Sequence, residues 1–422
     1  MADDVGSSLL PCGTRILWER VRESRTLSLG FFFATGSRLD PPEKAGLAHL
    51  VEHLVFKGTR HHSAASLARL VDRVGGDLNA WTDREEMAFT CTVPAEDWAV
   101  AVEALSELCL TPTFPRDEFE REKDVIRNEI LASLEDPEEL SYEAYLQGLS
   151  PGPWSRPVAG TEESLDRIST EDPQQWWNQW ALPSRLTIAF CGGVEPELVE
   201  GVLRDRFQDL SGRTGQDGPP PAHFSPGPLR KVYRAASQMV QVIGGFHFPA
   251  PATARGALVW QVFSMLWGET MSSRLFQSIR EQRGLSYNVS SQIFDADRYW
   301  GLQHFASGSV SNTAVLVEAL EDEVQRLFRN PPSVQEWEDA QAALRGSVIL
   351  GSERTENRVG RLWRQYESYG ELVGTDQVWK LLSIPVTPAE RDGVLAVLAR
   401  QEPSLCVWGH VPRRFVLTPG DS

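Results

Sequence analysis

The chain has 422 residues, 58 acidic against 41 basic, for a net charge of −17 at pH 7. That length allows two or three domains with substantial cores, and the acidic balance argues against a nucleic-acid binder. With 41% hydrophobic and 23% charged residues the composition is that of a soluble globular protein, and no apolar run nears the roughly 18 residues of a membrane-spanning helix.

The N-terminal "MADDVGSSLLPCGTRILWER" has no basic stretch followed by an apolar one, and Asp3 and Asp4 oppose an Arg-rich presequence. Neither a secretory nor an organellar leader is expected. Next in order, "LSLGFFFATGS" reads as a strand, "EKAGLAHLVEHLVF" and "SAASLARLVDRVGG" as helices, and "DLNAWTDREEMAFTCTV" as a hairpin after Gly75-Gly76. "WAVAVEALSELCL" carries helical periodicity, and "RLTIAFCGGV" reads as a buried strand. The Gly/Pro-rich "SGRTGQDGPPPAHFSPGPL", residues 211–229, reads as a linker between a domain at 1–210 and another at 230–422.

The second half repeats the order of the first. "MVQVIGGFHFPA" precedes "RGALVWQVFSMLWG", then "SSRLFQSIREQRG", then "LSYNVSS". "TAVLVEALEDEVQRLF" is helical and "SLCVWGHV" a buried strand. The expected fold class is α+β: two related domains, each an antiparallel-rich sheet with helices packed on one face. Five cysteines, at 12, 91, 109, 191 and 406, form no C-x-x-C pair. They are expected to be reduced residues of a cytoplasmic protein.

Within "AHLVEHLVFKGT", His49 and His53 stand four apart, so on a helix both imidazoles leave one face, with Glu52 beside them. Polar groups in so apolar a run are costly unless something binds them. Two imidazoles suit Zn²⁺, which needs a third protein ligand. The segment "PRDEFEREKDVIRNEILASLED" supplies carboxylates: Phe119, Ile126, Ile130 and Ser133 share a helical face with Glu122 and Glu129 among them. If this helix packs on the first, Glu129 completes a His₂Glu set, and Glu122 accepts a hydrogen bond from a ligand histidine. The open fourth position would hold water, with Glu52 as its general base. The reaction class is metal-assisted amide hydrolysis. His61 and His62, past Gly58, fall in a polar turn and are read as surface residues without a role.

H-x-x-E-H is the inverted form of the common zinc-protease helix motif. With Glu129 lying 76 positions after His53, the pattern resembles the M16 (pitrilysin or inverzincin) metallopeptidases. "GSRLDPPEKAGLAHLVEHLVFKGT", "GGDLNAWTDRE", "EREKDVIRNEI" and "SSRLFQSIREQRGLSYNVSS" are each similar to a signature of that family. The resemblance implies the LuxS/MPP-like metallohydrolase fold and the short two-domain bacterial branch, similar to mitochondrial processing peptidase subunits. It implies one Zn²⁺ per chain on His49, His53 and Glu129, with Glu52 as the base and Glu122 behind a ligand. Asn79 and Ala80 match the edge strand to which peptide substrate adds. Arg280 and Tyr287, seven apart, match the pair that reaches substrate from the other half. Phe89 and Trp81 stand where many relatives carry Tyr, or Tyr and Phe.

The expected activity is zinc-dependent endopeptidase action on peptides or unfolded segments inside an enclosed chamber, by a homodimer shaped like a clam shell. A heterodimer with a related subunit is the variant of that arrangement. The alternative is a non-proteolytic scaffold or partner-binding subunit. No nucleic acid and no membrane are expected as partners.

Overall fold

The computed structural model describes residues 4–210 and 223–417. They form two compact units: 4–131 with 156–210 and 349–378, and 132–155 with 223–348 and 379–417. The first unit holds a six-stranded sheet of β1 (Asp4–Leu9), β2 (Arg15–Arg20), β3 (Thr26–Phe33), β4 (Asp77–Thr82), β5 (Met87–Pro94) and β6 (Leu186–Gly192), in the order β1-β2-β6-β3-β5-β4. The second holds β7 (Arg230–Arg234), β8 (Met239–Pro249), β9 (Asn288–Ala296), β10 (Tyr299–Ser309) and β11 (Ser404–Gly409), in the order β7-β11-β8-β10-β9.

The duplication read from the sequence reappears as topology. Strands β2-β6-β3-β5-β4 and β7-β11-β8-β10-β9 follow the same path, each with one parallel pair, β2 with β6 and β11 with β7. The remaining pairs are antiparallel. The α+β class and the antiparallel-rich sheets are as expected.

In the first unit the helices α1 (Leu47–Val55), α2 (Ala64–Asp72), α3 (Trp98–Leu110) and α4 (Arg116–Ser133) share one core with Phe31, Phe33 and Phe89 of the sheet. Strand alternation sends Leu17, Phe32, Ala88, Ala189 and Cys191 to the opposite face, where Val359 and Trp363 of the 355–369 helix cover them. That helix comes from the last quarter of the chain. Glu19 of β2, 1% exposed, anchors it through Arg358 Nη1 at 2.6 Å and Arg361 Nη2 at 2.9 Å.

The second unit receives a helix in the other direction. Helix α5 (Pro137–Leu149) packs Tyr145, Leu146 and Leu149 against Ile243 and Cys406. Each sheet thus draws one covering helix from the opposite half of the sequence. Of the stretch read as a linker, 211–222 lie outside the described residues, while Phe224 and Leu229 are buried in this second core. Among the described residues the five cysteines form no disulfide, and four are buried. Among the described residues no helix is long and apolar enough to cross a membrane.

Candidate metal centre

Helix α1 starts later than its apolar pattern suggests, because Pro41-Pro42 open a short 3-10 turn at Pro42–Lys44 and Gly46 adopts φ +94°. Asp40, 3% exposed, closes the start by accepting the Gly46 and Ala48 amides, both at 3.0 Å. Burial pushes the Asp40 carboxyl up to about 8 against the pull of the Ala48 amide and Arg156. Leu47, Ala48, Leu50, Val51, Leu54 and Val55 are buried and fix the helix to the core. His49 and His53 therefore leave the remaining face together, their rings crossing edge to face with centroids 4.7 Å apart.

Helix α4 brings the carboxylates. Phe119, Ile126 and Ile130 bury its apolar stripe, and Glu122 is buried with them. Glu129, half-exposed, places Oε2 3.8 Å from His49 Nε2 and 3.6 Å from His53 Nε2. One ligand atom from each of the three lies within 4.8 Å of the others. Ligand bonds of about 2.0–2.1 Å in a tetrahedron set neighbouring ligand atoms about 3.4 Å apart, so small side-chain rotations suffice. Burial first, and His53 second, push His49 down to about 4, which keeps its imidazole neutral as a ligand must be. The donor set fits zinc.

Around these three stands a second ring of contacts. Glu122 Oε2 meets His53 Nδ1 at 3.1 Å, so the His53 N–H is held there and Nε2 is left to face Glu129. Glu122 Oε1 pairs with Lys57 Nζ at 2.8 Å. His49 Nδ1 is buried with no hydrogen-bond partner among the described residues. Glu52 accepts from Thr82 Oγ1 at 2.5 Å. Burial raises the Glu52 carboxyl, Glu129 adds to this, and the Thr82 hydroxyl and His53 oppose it. A raised carboxyl beside a metal site is suited to taking a proton.

The sequence reading singled out neither Lys57 nor Thr82. Lys57 stands four residues past His53 and Thr82 two past Ala80, spacings that place each on the face of a residue already chosen. His61, 61% exposed, lies in the surface turn expected for it, and His62 is partly buried beside it. His61 Nδ1 lies 3.0 Å from the buried Glu107, and His62 Nε2 3.4 Å from Glu103.

Asn79 and Ala80 lie on β4, the terminal strand of the sheet, where Asn79 Oδ1 accepts the Ala80 amide at 2.9 Å. In the second unit Arg280 lies on a helical turn of the π type, Phe276–Gln282. Its guanidinium lies over the Phe276 and Tyr287 rings, 4.6 and 4.4 Å from their centroids, and Nη1 donates to the Tyr287 carbonyl at 3.1 Å. Tyr287 is 82% exposed.

Comparison with known proteins gives a coherent picture. Residues 15–161 match the family model described as "Insulinase (Peptidase family M16)", and 167–344 match "Peptidase M16 inactive domain". The first match contains His49, Glu52, His53, Glu122 and Glu129, the second Arg280 and Tyr287. An uncharacterized zinc protease of Mycobacterium leprae is 30% identical over 372 residues, 87% of this chain and 83% of that one. The uncharacterized zinc protease YmxG of Bacillus subtilis is 27% identical over 355 residues, 83% of this chain and 85% of its own. A protease from Helicobacter pylori has the same fold with a TM-score of 0.85, at 17% identity, over 97% of this chain and all of that one. A Pseudomonas fluorescens structure titled as a peptidase M16 inactive domain follows at 0.82 and 17%, over 98% of this chain and all of its own. Two family models that together span most of the sequence, and relatives matched over more than four-fifths of their length, lead to one conclusion: the chain belongs to peptidase family M16.

Proposed function

We propose that the chain is a zinc-dependent endopeptidase for peptides or unfolded protein segments, with one zinc ion held by His49, His53 and Glu129. The observation that carries this reading is the convergence of two imidazole Nε2 atoms and one carboxylate oxygen, with the partly buried Glu52 on the same helix as the histidines. The relatives' description as zinc proteases supports it.

Zinc bound there would polarise the scissile carbonyl and acidify a water. Glu52 takes the proton of the attacking water and returns it to the leaving amine. Glu122 holds the His53 tautomer. Asn79 and Ala80 offer main-chain groups at the sheet edge for a peptide added as a further strand. Arg280 and Tyr287 supply a guanidinium and a phenol for substrate and for the charge that develops on its carbonyl oxygen. Enclosure of the substrate by a homodimer and a cytoplasmic location belong to the same reading, and sedimentation of the purified protein tests the dimer.

Glu52→Gln should lower peptide hydrolysis by about 10²–10⁴-fold, the range for a positioned general base, while zinc stays bound. The readout is chelator-controlled digestion of a mixed peptide library by mass spectrometry, with zinc content measured alongside. Wild-type turnover in that variant would refute the mechanism. The second reading, a non-proteolytic scaffold, draws on the description of the family model matching 167–344 as an inactive domain. A zinc-free protein without chelator-sensitive hydrolysis would favour it.

A further inference from the structure

Thr82 is the last residue of β4, two beyond Ala80. In register it faces Met87, while Trp81 faces Ala88. Met87 belongs to the core that contains α1, and Ala88 to the core under the 355–369 helix. Neighbouring side chains of one strand are therefore fastened on opposite faces of the sheet. Thr82 Oγ1 donates to Glu52 Oε2 at 2.5 Å. Trp81 Nε1 donates to Glu86 Oε1 at 2.8 Å, and the other oxygen of Glu86 accepts the Trp363 indole N–H. Phe32 stacks on Trp363 at 5.3 Å and meets Trp81 edge-on at 6.0 Å. The end of β4 has little freedom to shift.

The last torsion of a glutamate is broad, so a carboxylate without a fixed donor rotates through many settings. One short hydroxyl–carboxylate bond restricts that rotation. We propose that Thr82 is a positioning residue for the hydrolytic reaction: its hydroxyl fixes Glu52 Oε2 and thereby reserves Oε1 for the water. Because Thr82 shares its strand with Asn79 and Ala80, a peptide paired along β4 is registered by the same element that sets the base. Orientation of this kind contributes to rate in proportion to how well it is held. The inference rests on the endopeptidase reading, since Thr82 acts only through Glu52.

The test compares Thr82→Val, which keeps the shape and removes the hydroxyl, with Thr82→Ser, which keeps the hydroxyl, and with Glu52→Gln. Steady-state hydrolysis of a fluorogenic peptide is read with zinc content by atomic emission and thermal unfolding. Thr82→Val should lose about 10–100-fold in kcat with KM, zinc content and folding near wild type, and Thr82→Ser should recover to within about threefold. Thr82→Ala replaces the valine variant if the latter does not fold. An unchanged kcat in Thr82→Val beside an inactive Glu52→Gln overturns the role of Thr82 alone. Equal losses in the serine and valine variants, or a loss confined to stability, overturn it as well. Full activity in Glu52→Gln overturns both this inference and the reading beneath it.

Discussion

Lys57→Met isolates a contact on which the metal centre depends without touching the metal. Glu122 is 5% exposed, and its two oxygens are taken by Lys57 Nζ at 2.8 Å and His53 Nδ1 at 3.1 Å. At that Lys–Glu distance the gross attraction is about 6 kcal/mol for an effective dielectric near 20, most of it offset by desolvation. Removing one partner of a buried pair costs about 3–5 kcal/mol. The Lys57 side chain is 30% exposed, so water can replace part of what is lost, and about 2–3 kcal/mol is expected. At about 2–4 °C per kcal/mol for a unit of roughly 200 residues, Tm of the metal-free protein should fall by about 4–12 °C. Zinc affinity, from competition with a chromogenic chelator, should weaken about 10–100-fold because Glu122, the partner of His53, loses the ion pair that fixes it. The double variant Lys57→Met/Glu122→Gln should regain most of the stability, since no buried charge is left alone, without regaining zinc affinity. A Lys57→Met protein with wild-type Tm and zinc affinity within twofold would refute this account.

Gly46→Ala puts a methyl 2.5 Å from the Ala159 carbonyl oxygen at a backbone φ of +94°. It should cost about 2 kcal/mol or more through strain and displacement of α1, and chelator competition should show weaker zinc binding. Glu19→Gln leaves Arg358 and Arg361 facing a neutral amide in a buried setting. A loss of about 3 kcal/mol is expected in denaturant unfolding, with a matching change in tryptophan fluorescence as Trp363 loosens. In the second unit Arg255 Nε and Nη2 hold both Glu390 oxygens at 2.8 and 2.9 Å, which pulls that carboxyl down to about 2. A depressed carboxyl adds stability that is complete above its ordinary value near 4.5 and is lost as pH falls toward 2. Discounted for its 29% exposure, the contribution is about 1–2 kcal/mol. Arg255→Met also loses the bonds from Arg255 to the Leu381, Ile384 and Pro385 carbonyls, so it should be less stable than wild type at every pH, by a margin that narrows by about 1–2 kcal/mol between pH 6 and pH 2. Parallel curves of unfolding free energy against pH would contradict the assignment.

The candidate site was legible in the sequence because it violates a pattern that the surrounding residues obey. Leu47, Leu50, Val51, Leu54 and Val55 declare a buried helix face, against which His49, Glu52 and His53 stand out at helical spacing. Glu122 interrupts the stripe of α4 in the same way, and its burial with Lys57 and His53 as partners is the physical reason it is tolerated there. Periodicity says that a face is buried but not which surface buries it. The helices at 137–149 and 355–369 each show a face to be covered, yet nothing in their spacing sends the first to the sheet of β7–β11 and the second to that of β1–β6. A division at 211–229 follows the order of the sequence, whereas the compact units follow burial. The π-turn around Arg280 escapes for a related reason: Phe276 and Ile279 fit an α-helical pattern, and the wider turn shows in backbone hydrogen bonds such as that from Arg283 N to Ser278 O. Thr82 lies between these cases. Its strand was readable from alternation and its face from Ala80, but its partner sits 30 residues away on α1, across a contact that neither element's own pattern encodes. The candidate metal-binding and base residues could thus be picked out from local pattern. The contacts of Thr82 with Glu52 and of Lys57 with Glu122 depend on how separate elements are brought together, and the variants at those two positions measure that dependence.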